Sequence, residues 1–295
     1  MSNYLLLKGL RVQNANALSS PFTFGFPAVT AFLGFGHALQ RFINPESKED
    51  QFLVAGVGVS SHQFEMQDYQ EGYSRMLKLT ANPLNEKGER PSFVEEGRCH
   101  MVLSLVLEVE NVLSGRDQDR LLESIRTVIQ HRLKLAGGGI LDFDDITVVT
   151  DDRTGLMQLM PGYVLLDRRS YMLEAMESGQ DALDALYSYL QIHTFSEQDE
   201  GGNVHWRSAK SHTGWLVPIA SGFHALSALG EAQQTRDLNT PHCFAESIVT
   251  LGEFIMPHRL ESLSEIIWRY RKQGDLYLCT QEQTVTQENK ESTNG

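Results

Sequence analysis

The chain has 295 residues, of which 41% are hydrophobic, and this is enough to bury a large core in one elaborated domain or two. Its formal net charge of -13 disfavours nonspecific binding to nucleic acid or to an anionic membrane, because the average field repels polyanions. Three widely spaced cysteines without a CxxC pair argue against a disulfide framework or a zinc ribbon, and they suit a reducing, cytoplasmic compartment. No secretory leader pattern and no membrane-spanning run is recognised.

The first predicted elements alternate between strand and helix. Residues 3–13 place Leu10 and Val12 on one face and Arg11 and Gln13 on the other, which is the alternation of a half-buried strand. The elements predicted after it are a helix from Pro27 that ends before Asn44, strands over 52–64 and 98–110, and a helix over 117–141 that stops at glycine.

A closing strand completes this order, and either residues 146–150 or residues 156–166 supply it. The order is that of the ferredoxin-like plan shared with RNA-recognition modules. We therefore predict an α+β fold, with a ferredoxin-like domain of the RNA-recognition type over residues 1–166 and an added helical region.

Residues 167–281 are predicted to be mainly helical, with an extended segment near 214–227 that packs back on the first domain. The polar residues 282–295 are predicted to form a disordered tail. The elements predicted within 167–281 are a helical insertion over 168–195, an exposed acidic loop over 196–203, and helices over 243–255 and 260–272.

A run of amides and hydroxyls follows the first strand. Nothing between residues 13 and 29 titrates near neutral pH, so the run offers hydrogen-bond donors and acceptors but no acid, base or thiol. It is suited to holding a ligand and not to reacting with it. The alternative is that these side chains only satisfy their own backbone in turns. The polar residues are Gln13, Asn14, Asn16, Ser19, Ser20 and Thr23.

Other motifs that could carry chemistry are incomplete. None of three glycine clusters completes a phosphate-binding fingerprint, and the cluster Gly137, Gly138 and Gly139 is either a helix C-cap or a bare backbone that RNA or another chain can approach. The ten histidines show no metal-ligand spacing, although His37 is the best candidate for a general base. We predict no catalytic residue, no metal and no cofactor.

Basic residues cluster in spite of the acidic total charge. They lie on the helix over 117–141, at Arg168 and Arg169, and within 258–272, where a subset could form a phosphate track on an otherwise solvated surface. The aromatic signature of an ordinary RNA-recognition module is absent, because the third strand is aliphatic. Bases are therefore not expected to stack on that sheet in the usual way.

Six blocks of sequence together resemble one family. They cover residues 10–41, 80–88, 94–105, 134–141, 214–227 and 251–268, whereas residues 150–210 contribute little. The chain resembles the second Csy subunit, a Cas-five homologue of the RAMP superfamily, from type I-F CRISPR surveillance complexes.

The resemblance implies a noncatalytic RAMP subunit that holds the 5′ handle of the CRISPR RNA and forms a heterodimer with the large subunit. Further implied partners are the backbone subunits and, through the assembled complex, target DNA. The main alternative is a metal-independent RAMP endoribonuclease that processes repeat RNA. The residues predicted to bind RNA are Arg11, Gln13, Asn14, Asn16, Ser19, Ser20, Gly137, Gly138, Gly139, His258 and Arg259.

Overall fold

The computed structural model describes residues 3–44, 52–78, 84–90, 96–110, 116–199, 201–210, 212–231 and 239–281, together with 235 and 237. The predicted tail, 282–295, lies outside the described residues. The helices are α1 (Val29–Ile43), α2 (Arg116–Arg132), α3 (Asp152–Gln158), α4 (Arg169–Glu177) and α5 (Ala182–Leu190), with short 3-10 helices at Pro257–Arg259 and Leu263–Ile266. The strands are β1 (Asn3–Asn16), β2 (Leu18–Ser20), β3 (Thr23–Phe24), β4 (Leu53–Met66), β5 (Asp68–Glu71), β6 (Ser74–Leu77), β7 (Arg98–Glu110), β8 (Lys134–Leu135), β9 (Gly138–Asp142), β10 (Asp145–Val149), β11 (Tyr163–Asp167), β12 (Ile192–Gln198), β13 (Val204–Lys210), β14 (Trp215–Ala225), β15 (Ala245–Ile255), β16 (Arg269–Gln273) and β17 (Leu276–Thr280).

One large antiparallel sheet organises this α+β fold. Its strand order is β16-β17-β14-β15-β11-β4-β7-β1-β9-β8, and β10 also pairs with β1. Three small hairpins, β2–β3, β5–β6 and β12–β13, stand outside it. Among the strands after residue 160, β11, β14, β15, β16 and β17 therefore continue the sheet begun by the first strands.

The core on one sheet face is built by α1 and α2. Alternating residues of β1, among them Leu5 and Leu7, are buried there against Phe32 of α1 and Ile125 and Ile129 of α2. Strand alternation and helical periodicity place these side chains toward each other, as the sequence predicted. The predicted helix and strands over residues 27–43, 52–64 and 98–110 are confirmed as α1, β4 and β7.

The opposite face of the sheet is half covered. Leu6 and Val106 point to this side and are buried against Leu156 of α3 and against Leu263 and Ile266 near the second 3-10 helix. Bare backbone in β4 permits the close approach, because a Cβ atom on Gly58 would lie 2.8 Å from an Ile266 side-chain carbon. Nothing described covers the other half of this face, which carries Arg11, Gln13, His100 and Val102.

The prediction of two helices in the second half of the chain, over residues 243–255 and 260–272, is wrong. Residues 243–255 form β15, and residues 260–272 form a 3-10 turn followed by β16. Strand β15 is paired on both sides, with β14 and with β11. Its apolar residues Ile248, Leu251 and Ile255 also recur at helical spacing, so periodicity alone does not distinguish this strand from a helix. The region 167–281 is therefore not mainly helical.

The remaining predictions for the second half are confirmed in part. The extended segment near 214–227 is β14 and joins the sheet, and the helical insertion contains α4 and α5. The predicted loop over 196–203 is instead the turn of the β12–β13 hairpin, with residues 196–198 inside β12. Asp199 closes this turn by accepting backbone hydrogen bonds from Gly201 and Asn203.

No helix in the described parts of the chain is long and apolar enough to cross a membrane.

Candidate functional site

A bulge near the end of β1 presents the first two polar residues of the run. The register of β1 against β7 shifts between Val12 and Ala15, and Asn14 adopts a positive φ of 56°, a conformation that asparagine tolerates better than most residues. The Asn14 backbone N–H donates to Nδ1 of His100 across 3.1 Å. The side chains of Gln13 and Asn14 are exposed and have no hydrogen-bond partner among the described residues.

The other polar residues of the run hold their own turn together. Asn16 bonds the backbone of Leu18 in both directions, accepting from its N–H at Oδ1 and donating from Nδ2 to its carbonyl, each at 3.0 Å. Ser20 Oγ accepts from the backbone N–H groups of Phe22 and Thr23. Ser19 Oγ donates to the carbonyl of Phe26. The turn-forming alternative thus accounts for these three side chains, and their predicted RNA contacts stay a prediction.

The glycine cluster lies in a hairpin and not at a helix C-cap. Helix α2 ends at Arg132, and Gly137, at a φ of 76°, belongs to the turn between β8 and β9. A Cβ atom on Gly138 would lie 2.7 Å from the Gln13 carbonyl oxygen and 2.8 Å from the Ala15 backbone nitrogen. Gly138 is therefore bare because β1 itself approaches it, whereas the space beside Gly139 is open.

A groove of about 500 Å³ lies between this hairpin and α1. We call it the glycine-loop groove. Lys134 is the one charged side chain among the described residues that line it, and Phe223 of β14 lies at its side. Helix α1 lines the groove with Phe35 and with four small residues, Thr30, Ala31, Gly34 and Ala38. Three predicted site residues, Asn16, Ser19 and Gly137, are part of the same lining.

A second groove of about 320 Å³ occupies the uncovered half of the sheet and is called the open sheet face. It contains the predicted residues Arg11 and Gln13, together with Gln63, Glu65 and His100, which sequence reasoning missed. The signal for them lies in strand pairing, because the register places Glu65 opposite His100. Alternation alone could identify their exposed side but not this pairing.

Arg11 does not offer a free positive charge to this face. Its guanidinium pairs with Asp142 at 3.3 Å and with Asp144 at 2.7 Å. Both carboxylates are accessible to solvent, with 65% of the Asp142 side chain and 48% of the Asp144 side chain exposed. Two carboxylates face one guanidinium, so the net charge of these three groups is negative. The open sheet face is therefore better suited to neutral base edges than to phosphate.

His258 and Arg259 lie elsewhere. They are exposed on the first 3-10 helix, which begins at Pro257 and packs near α3, and they line neither groove. The structure therefore does not bring them together with the residues at the end of β1. Their predicted role in RNA binding stays a prediction.

The histidines considered for catalysis are also dispersed. His37, His62 and His100 belong to α1, β4 and β7. His62 Nε2 lies 2.7 Å from Ser104 Oγ, and burial, aided by the charge of Lys8, lowers the pKa of His62 and favours its neutral form. Within the described residues, no group of three His, Cys, Asp or Glu side chains could hold a metal ion.

The cysteines differ in accessibility, which leads to a direct prediction. Burial raises the pKa of the Cys99 and Cys279 thiols to about 12, whereas Cys243 is exposed. Because the thiolate is the reactive form, we expect iodoacetamide at pH 8 to modify Cys243 alone in the folded chain and all three cysteines in urea. Mass spectrometry of the alkylated protein measures this. Rapid native labelling of Cys99 or Cys279 would contradict the buried positions of their strands.

Comparison with known proteins identifies the class of protein. A family described as "CRISPR-associated protein (Cas_Csy2)" matches residues 5–279. The CRISPR-associated protein Csy2 of Pseudomonas aeruginosa (strain UCBPP-PA14) is 35% identical to this chain, and the similarity covers 92% of this chain and 92% of that protein. The chain is thus similar to CRISPR-associated proteins over nearly its whole length.

The chain belongs to the Csy2 family, whose members are subunits of the type I-F Csy complex. The resemblance inferred from the sequence is confirmed.

Proposed function

We propose that this chain is a noncatalytic subunit of a type I-F CRISPR surveillance complex that binds the 5′ handle of the CRISPR RNA and pairs with the large subunit. Family membership supports the complex. The observation that carries the RNA contact is the bulge of β1, where the side chains of Gln13 and Asn14 are exposed and make no hydrogen bond to any described residue. His100 accepts from the Asn14 backbone N–H, and Gly138 packs directly against the backbone of the bulge.

The central part of the sheet supports a ferredoxin-like RAMP domain within the α+β fold. Strands β4, β7, β1 and β9 lie side by side in that order, and α1 and α2 pack on one face. In the ferredoxin-like plan, two consecutive strand-helix-strand units interleave in one sheet. The order of these four strands is the one expected from that arrangement. The sheet extends beyond the plan through β11, β15, β14, β17 and β16.

The two grooves suggest how the handle is held. Single-stranded RNA is recognised through base edges and ribose hydroxyls, and neutral amides can supply the matching donors and acceptors. Gln13 performs this role at the open sheet face and Asn14 at the bulge next to it, while Lys134 of the glycine-loop groove contacts phosphate. Neighbouring subunits provide the further positive field that a chain of net charge -13 lacks, and through them the complex reaches target DNA.

A ribonuclease would need a histidine and a second acid-base or electrostatic group near one scissile phosphate. His62 instead bonds Ser104, and the Nδ1 atom of His100 accepts the Asn14 backbone hydrogen bond. These contacts give both histidines a structural role, and they favour the noncatalytic proposal over the endoribonuclease alternative.

The test replaces the two exposed amides. We expect Gln13→Ala combined with Asn14→Gly to weaken assembly on RNA with the correct handle by roughly thirtyfold or more, because the variant removes two groups and each unpaired buried group costs about 1–3 kcal/mol. Glycine keeps the positive φ of residue 14 accessible. Binding to RNA with a scrambled handle should change little. Gel shifts with the large subunit present measure both affinities, and circular dichroism checks folding.

Lys134→Ala is the matched comparison. It should weaken binding to both RNAs and reduce the dependence of affinity on salt, because a phosphate contact carries no sequence information. Equal binding of the double variant and the wild-type chain to both RNAs would exclude handle recognition by these residues. Site-specific cleavage of the RNA in the same gels would instead favour the endoribonuclease.

A further inference from the structure

Helix α5 has apolar side chains on nearly every side. Its inner face places Ala185 and Tyr189 in a small core with Leu216 and Leu251. On its outer face, Leu183 and Tyr187 are 53% and 63% exposed. A helix that is apolar all round is normally buried on all sides, so the outer face of α5 has the composition of a covered surface.

Phe22 completes a groove on this outer face. It lies at the turn between β2 and β3 and is 80% exposed. Together with Pro218 of β14 and α5 it bounds a groove of about 630 Å³, which we call the α5 groove. The apolar helix residues along it, at the spacing of one helix face, are Leu183, Leu186, Tyr187 and Leu190.

The charge of the molecule narrows the choice of occupant. Asp184 lines the α5 groove, and Asp181 caps the same helix end by accepting from the Asp184 backbone N–H. A formal net charge of -13 opposes both a second copy of the chain and an anionic membrane. The chain's own residues 282–295 do not fit, because Val285 is their only aliphatic side chain and three of them are glutamates.

We infer that the α5 groove binds an apolar segment flanked by lysine or arginine, contributed by another protein subunit of the complex. The inference rests on the proposed function in taking the partner from the same complex. A groove lined at helix spacing accepts the apolar ridge of such a segment, and the carboxylates beside it attract the flanking cations. The β2–β3 hairpin links the groove to Ser19 of the glycine-loop groove, so the partner lies next to the proposed RNA site.

The experiment uses the full chain and the other protein subunits of the complex, each purified and labelled separately. We expect Leu183→Ser with Tyr187→Ser to weaken binding to one subunit at least tenfold, and Asp184→Lys to weaken the same binding most at low salt. Handle RNA binding by these variants should stay at the wild-type level. The matched control is Leu173→Ser with Met176→Ser on α4, whose side chains are 52% and 42% exposed and line no part of the groove. It should leave subunit binding unchanged.

A photo-crosslinking amino acid at position 22 identifies the occupant. Crosslinks to an apolar peptide of the same subunit with neighbouring lysine or arginine support the inference. Crosslinks confined to residues 282–295, to a second copy or to RNA would overturn it, as would unchanged subunit binding by the Leu183 and Tyr187 double variant. If the wild-type chain bound handle RNA but no subunit, both the pairing in the proposed function and this inference would fail.

Discussion

Glu108→Ala is expected to destabilise the chain by about 3 kcal/mol, because it leaves a largely buried arginine without its partner. Glu108 of β7 and Arg269 of β16 form a two-pronged ion pair, with Nε and one terminal nitrogen each 2.8 Å from a carboxylate oxygen. Only 11% and 21% of the two side chains is exposed. Strands β7 and β16 are not neighbours in the sheet. The ion pair therefore links β16, at one edge of the sheet, to β7 across the face of β4.

Urea unfolding followed by circular dichroism measures this loss as a lower midpoint at unchanged slope. Glu197→Ala is the control, because its ion pair with Arg207 is exposed and should be worth less than about 1 kcal/mol. Replacing both partners, as Glu108→Leu with Arg269→Met, should recover much of the loss, since no unpaired charge remains. A double variant less stable than Glu108→Ala would contradict this account of the pair.

Gly138→Ala is expected to cost about 2 kcal/mol, because its new methyl group would overlap the backbone of β1. The nearest atoms are the carbonyl oxygen of Gln13 and the nitrogen of Ala15, neither of which is the mobile end of a side chain. The strand must move, and with it the bulge that presents Gln13 and Asn14. Faster amide exchange is therefore expected at Asn16, whose N–H donates to the Ala136 carbonyl at 2.8 Å.

The neighbouring variant Gly139→Ala provides the comparison. A Cβ atom there meets nothing within 4 Å, and the residue has no positive φ, so stability should change by less than about 1 kcal/mol. Thermal unfolding of both variants and hydrogen exchange followed by mass spectrometry make the measurements. Equal effects of the two substitutions would show that the close approach of β1 does not determine the need for glycine.

The sequence predicted those elements whose signal is local. Helix α1 and strand β7 repeat their apolar residues at clear spacings and end at recognisable residues, so both could be placed without tertiary information. Strand β15 could not, because it is buried between two neighbours that are distant in the chain. Strand β16 differs, because its partner β17 follows at once in a hairpin whose turn contains Gly274, and this turn is a local signal for a strand pair.

The candidate site was predictable to a similar degree. The polar run after β1 could be found from composition alone, but which of its side chains stay free depends on local geometry, as Asn16 and Asn14 show. Glu65 and His100 come together at the open sheet face because of the strand register, which the sequence alone does not give. The ion pairs of Arg11 join residues more than 130 positions apart, which no local pattern can indicate.

The covering of the second sheet face has a consequence for the chain during its synthesis. Leu6 and Val106 lie on strands that leave the ribosome early, whereas Leu263 and Ile266, which cover them, are made near the end. Until then, this apolar face of the growing sheet has only the cover that α3 provides through Leu156, and exposed apolar surfaces promote aggregation of nascent proteins. A premature stop before residue 263 would therefore release a chain that precipitates or is held by chaperones, even though β1, β4 and β7 are complete.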